Sequence, residues 1–301
     1  MYNGKEKFDF SGIEILDARN DSSKVGFLIN GIIPELYRLN YQNGLTTDVT
    51  DYLSAYYTNA FTENNNKVLI VVKKLWVSQF DTTLKVGSGL IYSGNIYSVN
   101  LKLEFYLKNE SNYYPITRID SSFFTTQRNS AKAFGIEIID GLINCCDKLF
   151  SINTSLIKQR KKYTIDQVKQ FNKLALDKPI LQTNQYKKGV YATFSEFLNN
   201  APSVTYSGID QQKFGDVLYL NDGKGGEYAS NKFWGYCDGE NIYIISARNF
   251  FRLVRTQNTF EFYGIKNLRE RYNYRNDIIH QRKPALDMFV YQVDMETGEV
   301  Y

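Results

Sequence analysis

Hydrophobic and polar positions change their pattern along the chain. Residues 13–16 and 24–29 are short apolar runs of strand length. Over residues 48–61, Val49, Leu53, Tyr56 and Ala60 recur at the spacing of one helix face, with Thr47 or Asp48 placed to cap it. The asparagines at 64–66 end that element. Residues 68–72 are almost wholly apolar, as in a strand buried on both faces or covered by helices on one of them. Asn95 reads as a turn ahead of the clearest alternation in the chain. Tyr97, Val99, Leu101, Leu103, Phe105 and Leu107 alternate with Ser98, Asn100, Lys102, Glu104 and Tyr106. Period two predicts a strand with one packed face and one mostly wet face. A polar turn at 108–112 and a further strand at 114–119 predict antiparallel pairing rather than a doubly wound parallel sheet.

A longer helix is predicted from Ser130, because Ala131, Phe134, Ile138, Leu142, Cys145 and Leu149 share one face. Gly141 weakens it by about 1 kcal/mol relative to alanine. After the basic segment 158–162, Thr164 and Gln167 have the spacing of a capping box, and Ile165, Val168 and Phe171 continue a third helix that Pro179 closes. The domain boundary is placed between Pro179 and Lys187, giving domains 1–182 and 183–301. In the second, Thr193 and Glu196 form another capping-box pattern before a short helix stopped by Pro202. Strand-length runs follow at 204–206, 214–220, 233–237, 242–246, 250–254 and 260–263, with Asp222-Gly, Asp238-Gly and Gln257-Asn at the joints, and the chain finishes with 288–293. The fold class predicted is α+β: a mixed or antiparallel sheet covered by helices, then a β-rich meander domain with a short helix.

Composition supports that division. Among 301 residues there are 24 Tyr and 20 Phe, which favours β structure. A formal charge of +4 is too small for a general nucleic-acid footprint, so no nucleic-acid partner is expected. No apolar run reaches the length of a transmembrane span. The polar opening 1–7 lacks the apolar core of a signal peptide. Two settings are consistent with it: a cytoplasmic protein, or an extracytoplasmic one whose leader and lipid anchor belong to the native precursor. The Asn- and Tyr-rich strands favour the second. Cys145, Cys146 and Cys237 read as small buried thiols.

The chemistry that the residues permit is narrow. His280 is the only histidine, which excludes a zinc site built on several histidines and leaves a single residue for any Ser-His or Cys-His mechanism. It lies in a charged, turn-like region and reads as a surface or packing residue. The glycine-rich segments 86–94 and 222–227 miss the spacing and context of phosphate-binding loops. Segment 222–227 also lacks the oxygen ladder of a calcium loop. Neither a metal nor a cofactor is therefore expected. The basic segment 158–162, continued by Lys169 and Lys173, reads as solvated surface, as do Arg269, Arg271, Arg275, Arg282 and Lys283. Tyr272 and Tyr274 nearby supply rings for stacking, but no nucleic-acid-binding motif accompanies them. If the protein is an enzyme, paired carboxylates are the remaining means, and Glu227 and Asp238 are the first candidates. If it binds a ligand through its aromatic run, Trp234, Tyr236 and Tyr243 are the candidates.

Segments 189–203, 233–244 and 291–299 resemble a set found in uncharacterised exported proteins and lipoproteins of the Bacteroidetes, over residues 185–301. That resemblance implies a cell-envelope setting and no particular reaction. The order of elements over 48–107, closed by the helix at 130–150, is also similar in outline to small α/β domains such as the TolB N-terminal domain. Two readings follow. One is a non-enzymatic, binding or structural envelope protein that engages another envelope protein or a glycan. It predicts an exposed aromatic patch or an uncovered sheet edge. The other is a carbohydrate-directed hydrolase, which predicts paired acids in an aromatic cleft, one with a raised pKa.

Overall fold

The computed structural model describes residues 1–30, 35–86, 90–125, 131–212, 215–221, 223–246, 249–265 and 288–301. Two compact units divide the chain at Met1–Leu174 and Ala175–Tyr301. The glycines at 87 and 89, Asp222, His280 and the basic and aromatic residues of 266–287 lie outside the described residues.

The first unit is built on a six-stranded mixed sheet. Its strands are β1 (Ile13–Asp17), β2 (Gly26–Asn30), β3 (Glu35–Leu39), β4 (Asn66–Val86), β5 (Leu90–Asn109) and β6 (Asn112–Thr125). The order is β3-β2-β4-β5-β6, with β1 also on β4. Both β1 and β2 run parallel to β4, one pairing at 68–72 and the other at Val77. Gly26 makes the second junction possible: at φ +141 its backbone lies against Val77, and an added Cβ would fall on the Val77 carbonyl oxygen. β4, β5 and β6 form an antiparallel meander.

Helices α1 (Leu45–Tyr56) and α2 (Ala131–Asp147) share one apolar core with the sheet, together with a 3₁₀ turn at Lys148–Ser151 and the short α3 (Thr154–Ile157). Val68, Ile70, Val72, Leu101, Leu103 and Phe105 supply the sheet side of this core, while Leu53, Ile138, Leu142 and Leu149 supply the helical side. The other face carries a second cluster in which Val168 of α4 (Ile165–Leu176) packs with Leu69, Val71, Tyr106 and Tyr113. The capping box forms as its spacing predicts. Thr164 N donates to Gln167 Oε1 at 2.9 Å, and Gln167 N donates to Thr164 Oγ1 at 3.2 Å.

Several local expectations give way. Helix α1 begins after Gly44, without a side-chain cap; Asp48 sits in its first turn and accepts from the backbone and side-chain amides of Asn43. Asn95 is not a turn, because β5 runs straight through it opposite Asp81 of β4. The face of β5 expected to be wet is largely covered, with Ser98, Lys102 and Tyr106 all buried. Pro179 does not close α4 but opens α5 (Pro179–Gln182), occupying the first turn, where its missing N–H costs nothing.

The second unit is β-rich. β7 (Gly189–Tyr191), β11 (Gly235–Cys237), β12 (Ile242–Ser246), β13 (Asn249–Thr256), β14 (Thr259–Ile265) and β15 (Met288–Gln292) form a six-stranded sheet in the order β15-β14-β13-β12-β11-β7, all antiparallel. A second sheet holds β8 (Tyr206–Gln212), β9 (Gly215–Asn221) and β10 (Glu227–Ser230) in the order β10-β9-β8. The larger sheet is packed on both sides. Ile180 and Leu181 of α5 and Phe197 of α6 (Phe194–Leu198) join one core with Ile242, Ile244, Phe260 and Phe262. Leu218 and Leu220 of β9 join the other with Val190, Phe233 and Tyr236. Among the described residues, no helix is long and apolar enough to cross a membrane.

Candidate partner-binding groove

The aromatic candidates Trp234, Tyr236 and Tyr243 are parts of these two cores. Trp234 stacks on Phe197 with ring centroids 4.1 Å apart. Tyr236 stacks on Tyr243 at 4.7 Å and meets Phe250 and Tyr206 edge-on. Neighbouring aromatics can thus enter opposite cores, because the alternation breaks at Gly235. Phe233 and Tyr236 point to one side, Trp234 and Cys237 to the other. Gly235 lies so close to β12 that a Cβ would meet the Tyr243 carbonyl oxygen. Burial, with the nearby phenol of Tyr243, raises the Tyr236 pKa, as expected of a hydroxyl held inside a stack.

The acidic candidates are not brought to one catalytic cleft. Glu227 is exposed at the start of β10, opposite Asn221. Asp238 sits in the turn between β11 and β12, in the other sheet. It accepts from the backbone amides of Asn241 at 2.7 Å and Glu240 at 2.8 Å. Burial alone would raise its pKa, but these amides outweigh burial and hold the carboxyl below its ordinary value. That is the environment of a turn anchor rather than of a proton donor. Burial pushes the Cys145 thiol up to about 11 and raises Cys146 and Cys237 as well, which disfavours their thiolates. Among the described residues, no three His, Cys, Asp or Glu side chains come together to hold a metal.

A concavity lies in the first unit, along the outer edge of β6. It is a groove of about 640 Å³ between β6 residues Ile116–Ser121 and the segment from Lys148 to Arg160. Its apolar floor includes Ile116, Ile119 and Ile157, all buried because they also belong to the main core. Its rim is polar, with Thr117, Ser121, Ser151 and Asn153, and Leu156 stands 59% exposed beside them. Lys148 and Arg160 line it from the segment opposite β6, whereas Arg118 and Asp120 stand opposite Glu104 and Lys102 of β5 and share their face of the sheet, away from Ile119. Asp120 is also within 4 Å of Lys102 and Lys74, at 3.7 and 3.9 Å. Neither histidine nor cysteine lines the groove.

The wall opposite β6 is tightly positioned. Asn153 caps α3 by accepting from the amides of Ser155 and Leu156 at 3.0 and 3.2 Å. The Thr154 hydroxyl donates to Asp9 at 2.5 Å, tying the same turn to the N-terminal segment. Beyond α3, Arg160 reaches back to the strand, its Nη1 donating to the carbonyls of Pro115 at 2.9 Å and Ile116 at 2.7 Å. Tyr113 and Tyr163 then exchange backbone hydrogen bonds of 2.8 and 2.9 Å. The chain therefore closes the first part of this edge itself. From Thr117 onward, no described residue pairs with the outer edge of β6.

Two groove components carry sequence signals of their own, neither of which points to the groove. The strand near 114–119 shows in local pattern, and the basic segment 158–162 has the pattern of solvated surface. Their meeting depends on a contact across 44 residues of chain, between Arg160 and Ile116. No protein-family model matches this chain, and no curated protein or solved structure matches it significantly.

Proposed function

We propose that this is a non-enzymatic binding protein of the cell envelope, with the groove beside β6 as its docking site. One observation carries the reading: beyond Ile116 the β6 edge has no described strand partner and faces a rigidly built polar groove with an apolar floor. An edge strand turns every second backbone N–H and C=O away from its only neighbour, so it can join another segment without rearranging. The envelope setting rests on the resemblance over residues 185–301. The hydrolase reading has less support, since Glu227 is exposed in one sheet and Asp238 is held ionised in a turn of the other.

Site-directed photocrosslinking in intact cells tests this proposal. A photoreactive residue at Ser121 or Leu156, in the groove, should give adducts of discrete mass with an envelope component. The same residue at Glu110, in the exposed β5–β6 turn, should give none. Equal labelling from all three positions, or none from the groove, would count decisively against a docking site here.

A further inference from the structure

Resting on that reading, we infer that the partner at the groove is a second copy of this chain, joined edge to edge through β6 about a two-fold axis at Ser121. Three observations define the pairing.

The first is where the edge is open. Tyr163 pairs with Tyr113, and Arg160 holds the carbonyls of Pro115 and Ile116, so the chain itself occupies the edge up to Ile116. From Thr117 to the end of β6 at Thr125, no described residue pairs with it. An antiparallel strand therefore fits between these limits. When that strand is β6 of a second copy, the longest overlap lays 117–125 on 117–125, with Ser121 opposite the partner's Ser121. It spans roughly 30 Å at ordinary strand rise. Two-fold pairing of this kind uses one surface twice and needs no other complementary patch.

The second is the charge. Charged residues on an edge ordinarily keep two copies apart. Here Arg118 stands opposite Glu104 and Asp120 opposite Lys102 in their own sheet, so the edge calls for neither an acidic nor a basic strand. The axis at Ser121 sets Asp120 opposite the partner's Ser122 and Arg118 opposite the partner's Phe124, so no charge meets its own kind directly across the join. Moving the axis to Asp120 would set that carboxylate against itself and run the partner's Thr125 into the position held by Arg160. The third is the core side of the sheet. The same register sets Ile119 opposite the partner's Phe123, and both residues pack on the apolar core. Thr117 comes opposite the partner's Thr125, so hydroxyl meets hydroxyl as apolar meets apolar. Leu156, 59% exposed in the wall of the groove, is covered by the seated strand.

The test uses the full chain, with sedimentation velocity over a range of concentrations and hydrogen exchange to locate the interface. Dimers should form as concentration rises and should protect amides within 117–125. A charge placed at the exposed Ser122 acts twice, once on each copy's Asp120. Ser122→Asp should weaken the dimer about fivefold, and Ser122→Arg should strengthen it about as much. Under mild oxidation Ser121→Cys should crosslink to twice the chain mass, since the native thiols are buried. Thr117→Cys, whose counterpart lies roughly 26 Å away along the strand, should not. A chain that stays monomeric and gives no Ser121→Cys crosslink would overturn the second copy. Dimers that leave 117–125 unprotected would overturn this edge. Equal crosslinking by Thr117→Cys, or equal effects of the two Ser122 substitutions, would overturn the register. Groove photoadducts at a mass other than twice the chain's, without dimers, would remove only this inference; absence of both groove adducts and dimers would remove the docking site as well.

Discussion

Two sheet edges of this protein are covered at opposite ends of their strands. In the second unit, β15 is covered at its last residue by the chain that follows it. Gln292 N donates to the Tyr301 carbonyl at 2.9 Å and Tyr301 N returns the bond at 3.1 Å. The Tyr301 hydroxyl adds a 2.6 Å bond to Gln292 Oε1, and Val293 bridges to Val300. In the first unit, β6 receives such cover only at Tyr113, with Arg160 beyond it. Both edges end sheets with well-packed apolar cores, so core packing does not decide where each is covered. What differs is where along the strand a following segment returns, at the start of β6 and at the end of β15. β6 also carries Pro115, Arg118 and Asp120, residues that discourage indiscriminate edge pairing while leaving a matched segment able to dock.

The largest expected effect comes from attacking the core beneath the closed edge. Phe260 of β14 is 1% exposed and meets Phe197 edge-on at 5.2 Å. Phe260→Ala should cost about 3–5 kcal/mol and expose the Gln292 amide to exchange, as read by urea unfolding with hydrogen exchange. Unchanged protection at Gln292 would show that the tail closes β15 independently of that core. The open edge should respond less. Arg160→Ala removes two charge-assisted bonds to carbonyls from an exposed side chain, an expected loss of about 1 kcal/mol. Its sharper signature is faster exchange at the start of β6, with the Gln292 amide unaffected.

A pH experiment addresses the first unit's other strand junction. Glu14 of β1 accepts from Lys108 of β5 at 2.8 Å through each oxygen and lies 3.3 Å from Lys67 of β4. Burial alone would raise the Glu14 pKa, but Lys108 and then Lys67 outweigh it and hold the carboxyl below its ordinary value. A carboxylate whose pKa is depressed on folding stabilises the fold above its unfolded pKa, and this contribution disappears as pH falls through the folded one. Glu14→Gln should therefore be less stable than the parent near neutrality, and the gap should close in acid. Urea midpoints measured across that range check it; a constant gap would exclude the ionised pair as its source. The smallest effect is expected at β10, an edge of four residues in which Tyr228 is 51% exposed. Tyr228→Ser should change unfolding free energy by no more than about 0.5 kcal/mol.

Much of the fold was readable from local pattern. The helical face running through Phe134, Ile138 and Leu142, the Thr164–Gln167 capping box and the apolar run at 68–72 each carry a short-range signal of their own element. The α+β class and the antiparallel meander follow from them. The misreadings came where a distant partner overruled a local preference. Asn95 favours turns in isolation, yet Asp81 of β4 stands opposite it and the hairpin continues. Trp234 and Tyr236 suggested a recognition surface, but α6 packs on one side of their sheet and β9 on the other. The groove was the least legible feature, since neither Arg160 nor Ile116 indicates the other.

By itself the sequence determined the types and approximate places of most elements, because helix faces, strand alternation and caps act over a few residues. It also removed multi-histidine metal chemistry through its single histidine. Tertiary structure alone decided which edge of each sheet would be covered, which aromatic rings would be buried and which cations would line one groove. Those outcomes depend on side chains and backbone groups that meet only after the chain has folded back on itself, and local periodicity contains no record of such meetings.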